Sequence, residues 1–160
     1  MPTSATPFDA HFAERVHASF ARQQVMRLIG ATLVGVAPGA VEIRLPFRAD
    51  LTQQHGYLHA GVVTTICDSA CGYAALSRMA PGSGVLTVEF KMNLLAPARG
   101  EWFAARGMVT KAGRTLLFCQ GEVRAHSGAT DGGAEEGEPP LVATMMATMM
   151  RIEERDSATE

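Results

Sequence analysis

Residues 51–79 read LTQQHGYLHAGVVTTICDSACGYAALSRM, and the fold turns on how they are parsed. The stretch opens polar, with Thr52, Gln53, Gln54 and His55, then passes through Gly56 and His59-Ala60-Gly61. A helix-length run of apolar and small residues follows, whose only charges are Asp68 and Arg78. Val62-Val63-Thr64-Thr65-Ile66 has strand character, but the length of the run and the later Ala70, Ala74, Ala75 and Leu76 favour helix over residues 61–79. Such a helix is apolar around most of its circumference and is expected to be buried on several sides. Small residues at 61, 70, 72, 74 and 75 would let other backbone approach it closely, and Ala80-Pro81-Gly82-Ser83-Gly84 ends it. The short run and the carboxylate at its centre argue against a membrane span.

On the N-terminal side, Asp9 is placed to cap a helix over residues 10–24, with Phe12, Val16 and Phe20 on one face. Gly30 interrupts. Residues 31–36 and 40–48 read as two strands about the turn Ala37-Pro38-Gly39, the second with Val41, Ile43 and Leu45 alternating against Glu42 and Arg44. On the C-terminal side, residues 85–95, 101–110, 114–126 and 141–152 read as four strands. Lys111-Ala112-Gly113 forms a hairpin turn, and residues 127–140, rich in Gly, Pro and acid, form a mobile connection. The doublets in ATMMATMM suggest a strand with a methionine-rich face. The order is helix, two strands, one long buried helix, four strands. This is an α+β chain, with an antiparallel sheet around one helix as the economical packing. A single sheet covers one side of that helix and leaves edge strands open to pairing, which predicts dimerisation.

The 160 residues suffice for one domain with a proper core, and 47% hydrophobic with 19% charged is ordinary globular composition. A net charge of −2 gives no basic surface for nucleic acid or anionic membrane. No basic start precedes an apolar run, so no secretory signal is read, and the odd trio Cys67, Cys71 and Cys119 in apolar surroundings fits reduced thiols in a cytoplasm.

Asp68 is the residue that demands a reason, because an unpaired buried charge is costly. It either pairs with an Arg or caps backbone in a subunit contact, or it is a catalytic carboxylate acting as general base on water or as nucleophile. His59-Ala60-Gly61 lies where loop becomes helix. Free N–H groups there carry the positive end of the helix dipole and can polarise a carbonyl oxygen, although an ordinary helix start would look the same. His55 and His59 are four apart, but Gly56 breaks the helical face a metal pair needs, so no metal is expected. Cys67 and Cys71, also four apart, are read as core. Gly-x-Ser-x-Gly, G-x-G-x-x-G and P-loop patterns are absent, which leaves serine hydrolysis, dinucleotide binding and phosphoryl transfer unsupported. Lys111, Arg114 and Arg151 could meet a phosphate, although such residues at turns and strand ends are commonly just solvated.

L-H-A-G followed by Asp68 on a buried helix resembles the HGG…D motif of hotdog-fold acyl-CoA thioesterases. The PaaI-like, phenylacetate-degradation branch and its bacterial medium/long-chain members are the most similar group. The likeness extends through VLTVEFKMNLLAPARGEWFAARGMVTKAGRTLLFCQGEV, so over residues 30–152. It implies a sheet wrapped around the central helix, with an N-terminal extension at 1–24, a hotdog domain at 25–152 and a charged tail at 153–160. It also implies dimers joined sheet edge to edge, usually paired into tetramers, with active sites at the dimer interface. By position, the resemblance implies that Asp68 activates water or attacks the thioester, and that the Ala60 N–H of the other subunit polarises the carbonyl. It further implies that Gln53 or Gln54 contacts that carbonyl, that Thr87 helps hold the water, and that His59 and Gly61 shape the loop at the thioester. Coenzyme A, part of the substrate rather than a cofactor, would lie near Lys111 and Arg114. Ala60 departs from the family's glycine but keeps its N–H. The family branch with a D-x-x-x-H-x-N pattern is not matched. A hotdog dehydratase or hydratase, an acyl-CoA-binding module and a degenerate structural dimer are the competing readings. Tyr57 and Tyr73 suit aromatic acyl groups, and the methionines suit an aliphatic channel.

Overall fold

The computed structural model describes residues 9–128 and 137–153. Its centre is α3 (Ala60–Leu76), from which Ile66, Cys67, Ala70, Cys71, Ala74 and Ala75 are wholly buried. The helix expected over residues 61–79 is observed as Ala60–Leu76, and the Val and Thr residues at its start are helical with the rest because tertiary burial overrides their β-propensity. Six antiparallel strands form one sheet in the order β1-β2-β4-β5-β6-β3. They are β1 (Thr32–Ala37), β2 (Ala40–Pro46), β3 (Ser83–Leu94), β4 (Trp102–Ala112), β5 (Leu116–His126) and β6 (Leu141–Glu153). This is the α+β hotdog arrangement, with α3 enclosed by the sheet.

Two glycines let the sheet close on the helix. Gly107 of β4 and Gly121 of β5 stand opposite each other in register. A Cβ on Gly107 would sit 2.3 Å from the Ala70 carbonyl carbon, and one on Gly121 would sit 2.6 Å from Cys67 Sγ. Small residues on α3 and absent side chains on the sheet thus meet at one crossing. The three cysteines there are free and buried, and burial pushes the Cys119 thiol up to about 12. On β2, Val41, Ile43 and Leu45 point inward as their alternation requires.

The N-terminal region departs from the single helix expected over residues 10–24. There are two helices, α1 (Phe12–Arg22) and α2 (Gln24–Ile29), separated by an extended Gln23. Asp9 is not the N-cap of α1. Its side chain accepts from the His11 N–H at 2.9 Å and pairs with Arg15 at 3.0 Å, which stabilises the turn before the helix. Val16 of α1 is wholly buried in the common core, and Gly30, at φ 79°, closes α2. The methionines of β6 divide between its two faces. A four-residue repeat on a strand of period two puts Met145 and Met149 inward and Met146 outward. The acidic connection over residues 129–136, the tail over 154–160 and the first eight residues lie outside the described part.

Both sheet edges are open within one chain. β3, at one end, carries Leu86, Val88, Phe90 and Leu94, each between 47% and 54% exposed. On the outer sheet face, Met108, Phe118 and Met146 are also exposed. No helix among the described residues is long and apolar enough to cross a membrane.

Candidate active site

Asp68 lies near the middle of α3, on the side turned toward the open β3 edge. Among the described residues its hydrogen-bond partner is Thr87 on β3, whose Oγ1 donates to Oδ1 at 2.8 Å. No Arg or Lys pairs with it among the described residues. Burial raises its pKa above the usual aspartate value, and the Thr87 hydroxyl pulls in the opposite direction. The other carboxylate oxygen is left to act on a substrate or water. Thr87 also lies 3.5 Å from Met149 Sδ, so its side chain is seated between helix and sheet.

The start of α3 is built by His59. Its backbone is extended, and its Nδ1 accepts the Gly61 N–H at 2.9 Å. Nδ1 is therefore the unprotonated ring nitrogen in this arrangement. The Val62 and Val63 N–H groups donate to the His59 carbonyl. The Ala60 N–H makes no hydrogen bond to a described residue, so it is the donor the helix start leaves over. Gly61 leaves room for the His59 cap, since a Cβ there would stand 3.0 Å from Nδ1 and the ring would have to give.

A groove of about 450 Å³ opens beside this terminus, lined by Gln53, Tyr57, Ala60, Leu94 and Pro97 among others. Gln53 and Ala60 are therefore brought together. The Gln53 side-chain oxygen accepts the His55 N–H, which leaves its amide nitrogen available to donate. Gln54 and His55 are exposed and turned to each other, outside the groove. Lys111 and Arg114 are exposed at the β4–β5 hairpin and line neither hollow described here. Among the described residues no three His, Cys, Asp or Glu side chains gather as a metal site.

Ala60 and Asp68 are eight positions apart on one helix. At about 1.5 Å rise per residue that is about 12 Å, too far for both to touch one reacting carbonyl. A second hollow, of about 920 Å³, begins one helical turn beyond Asp68, between α1, α3 and the start of β3. Sequence reading did not find it. The only available signal was Gly72, a glycine inside a helical pattern.

Comparison with known proteins agrees with this architecture. The thioesterase superfamily pattern matches residues 55–131. A crystal structure of a thioesterase family protein from Silicibacter pomeroyi is 48% identical, spans 89% of this chain and 99% of that one, and superposes with a TM-score of 0.81. Acyl-coenzyme A thioesterase 13 of Homo sapiens is 34% identical over 96 residues, 58% of this chain and 66% of that protein. The Escherichia coli PaaI protein from the phenylacetic acid degradation operon shares the fold at 16% identity and a TM-score of 0.75, over 91% of this chain and 96% of its own. With a related thioesterase matched over nearly its whole length, and the family pattern lying across the helix that carries Asp68, this chain belongs to the thioesterase superfamily and is a thioester hydrolase.

Proposed function

We propose that the chain hydrolyses acyl-CoA thioesters in a site shared between two subunits. The observation that carries this is Asp68, a half-buried carboxylate bonded, among the described residues, only to the Thr87 hydroxyl and facing an open sheet edge. Thr87 fixes one carboxylate oxygen, and the other takes a proton from water as that water attacks the thioester carbon. Direct attack by the carboxylate, with water then cleaving the anhydride, is the other route. The carbonyl oxygen gains negative charge in either route. The Ala60 N–H of the partner subunit, at the positive end of its helix, meets it together with the Gln53 amide. Collapse expels the coenzyme A thiolate, a good leaving group, so no strong acid is required. His59 acts by holding the helix start.

The shared site follows from the separation of about 12 Å between Ala60 and Asp68 within one helix. Pairing of β3 with its copy supplies the second subunit, since β3 is an exposed apolar edge. The exposed Met108, Phe118 and Met146 on the outer face support a further pairing into a dimer of dimers. Coenzyme A lies along the surface toward Lys111 and Arg114, and a cytoplasmic location suits three free thiols. No cofactor is needed by this chemistry.

The test is thiol release from short, medium, long, phenylacetyl and benzoyl-CoA, with Asp68→Ala alongside and the three protein thiols subtracted. Turnover that collapses in Asp68→Ala supports the reading. Turnover that survives it assigns the wrong residue, and acyl-CoA binding without turnover makes the chain a binding module.

A further inference from the structure

Thr87 sits at a break in β3. The register pairs Thr87 with Met149 of β6 and then skips, so that Glu89 pairs with Thr148 and Val88 is the extra residue of a bulge. An unbroken strand of period two would put Glu89 on the same face as Thr87, beside Asp68. The bulge changes that phase. Val85 and Thr87 face the helix before it, and Met92 packs on the same core after it. Glu89 instead accepts from the Thr148 hydroxyl at 3.1 Å. Bulges of this kind re-aim a side chain, and the one aimed here is Thr87.

The hydroxyl so placed has two neighbours. Asp68 Oδ1 lies 2.8 Å away and Met149 Sδ 3.5 Å away. A carboxylate and a thioether only accept, and a hydroxyl has one proton to donate. That proton therefore has a strong acceptor and a weak one. Met149 is wholly buried, and leucine would fill such a position with nearly the same volume. What leucine lacks is the acceptor.

We propose that Met149 Sδ is the alternate acceptor of the Thr87 proton, and that Met149 is thereby a positioning residue for hydrolysis, acting on Asp68 through Thr87. The inference rests on the acyl-CoA reading above and deepens it. In the resting site the ionised Asp68 holds the Thr87 proton. When the other Asp68 oxygen takes a proton from the attacking water, Oδ1 becomes a carbonyl oxygen and a weaker acceptor. Thr87 then turns its proton to sulfur at little cost. The proton gained by Asp68 is the one lost by water, and Thr87 keeps its own. Sulfur thus favours the protonated carboxyl, and Asp68 is a stronger base with it than without it. The other titratable groups on the surrounding elements are Cys67 and Cys71 of α3 and Glu89 of β3. Arg15, Arg22, Tyr73 and Glu153 stand in the walls of the hollow one turn along. Burial and the Thr87 hydroxyl are what move the Asp68 pKa, so the partition of the Thr87 proton is the adjustable part.

The experiment measures kcat/KM against pH with octanoyl-CoA for wild type, Met149→Leu, Thr87→Val and the double variant. Met149→Leu commits the Thr87 proton to Asp68. The acid limb is expected to move to lower pH by about 0.3–0.7 unit, which is about two- to fivefold in the acid constant, the worth of a weak hydrogen bond. That is opposite in sign to the shift expected of Thr87→Val. In the Thr87→Val background Met149→Leu should leave the limb in place, because no hydroxyl proton remains to partition. Carbon NMR of the Asp68 carboxyl across the same pH range reads the same shift without turnover. No shift in Met149→Leu, or a shift to higher pH, overturns the inference and leaves the hydrolase reading intact. An equal shift in both backgrounds also overturns it, because Met149 would then act by packing alone. Absence of turnover on every acyl-CoA defeats the underlying reading, and the role in hydrolysis with it.

Discussion

Replacing Ala60 with proline removes one atom that matters, the amide hydrogen proposed to meet the developing oxyanion. The substitution is mild for the fold. Ala60 is the first residue of α3, where proline is favoured, and the preceding His59 is already extended at φ −61° and ψ 137°. Loss of one such donor costs about 10²–10³ in kcat, about 2.7–4 kcal/mol of transition-state stabilisation. Asp68→Ala should be at least as damaging. Within one chain the two positions stand about 12 Å apart along α3. The proposed site therefore combines Ala60 of one subunit with Asp68 of the other, and on that proposal the two dead variants should rescue each other. Random reassociation of equal amounts makes about half the dimers mixed, and each mixed dimer holds one intact site of two. The mixture should recover about a quarter of the wild-type specific activity. Native mass spectrometry establishes that subunits have exchanged, and thiol release reads the rate. If exchange is complete and the mixture remains no faster than its parents, the shared-site argument fails.

Three further outcomes follow from the geometry. Burial raises the Asp68 pKa, so the wild-type fold is favoured at low pH and loses that advantage as pH rises through the folded pKa. Asp68→Asn has no charge to bury. It should therefore melt above wild type at neutral pH, and the difference should close below the ordinary value of 3.8, while activity is lost. An unchanged Tm at neutral pH would remove desolvation as the cause. Thr87→Val deletes the bond that pulls the Asp68 pKa down, so the acid limb of kcat/KM against pH should move to higher pH; movement to lower pH contradicts the pairing. Gly107→Ala sets a Cβ 2.3 Å from the Ala70 carbonyl carbon. It should cost about 3 kcal/mol and lower Tm by about 6–12 °C, which calorimetry would register.

The central helix was legible because its length and composition leave no other element, and Asp68 was legible because it interrupts them. The strands were legible from alternation, most clearly at Val41, Ile43 and Leu45. The break between α1 and α2 was not. Gln23 carries no turn signal, and its placement depends on tertiary contact, the Ser69 hydroxyl donating to its side-chain oxygen at 3.4 Å. The glycines show the same limit. Gly107 and Gly121 are distant along the chain and meet only through the β4–β5 register, and nothing in the local pattern distinguishes these pressed positions from the vacant one at Gly72.

This chain departs from HGG at one position and keeps glycine at the next. The two positions answer different demands. Position 61 leaves room for the cap, because a Cβ there would lie 3.0 Å from His59 Nδ1, the atom bound to the Gly61 N–H, and the ring would have to give. The role proposed for position 60 needs only a free N–H in an ordinary helical conformation, which an L-residue adopts without strain. By consuming the Gly61 N–H, His59 also narrows the donors at the helix start to the one at Ala60. The alanine at 60, the glycine at 61 and the capping histidine belong to one arrangement, in which the amide left over is the one proposed to meet the thioester.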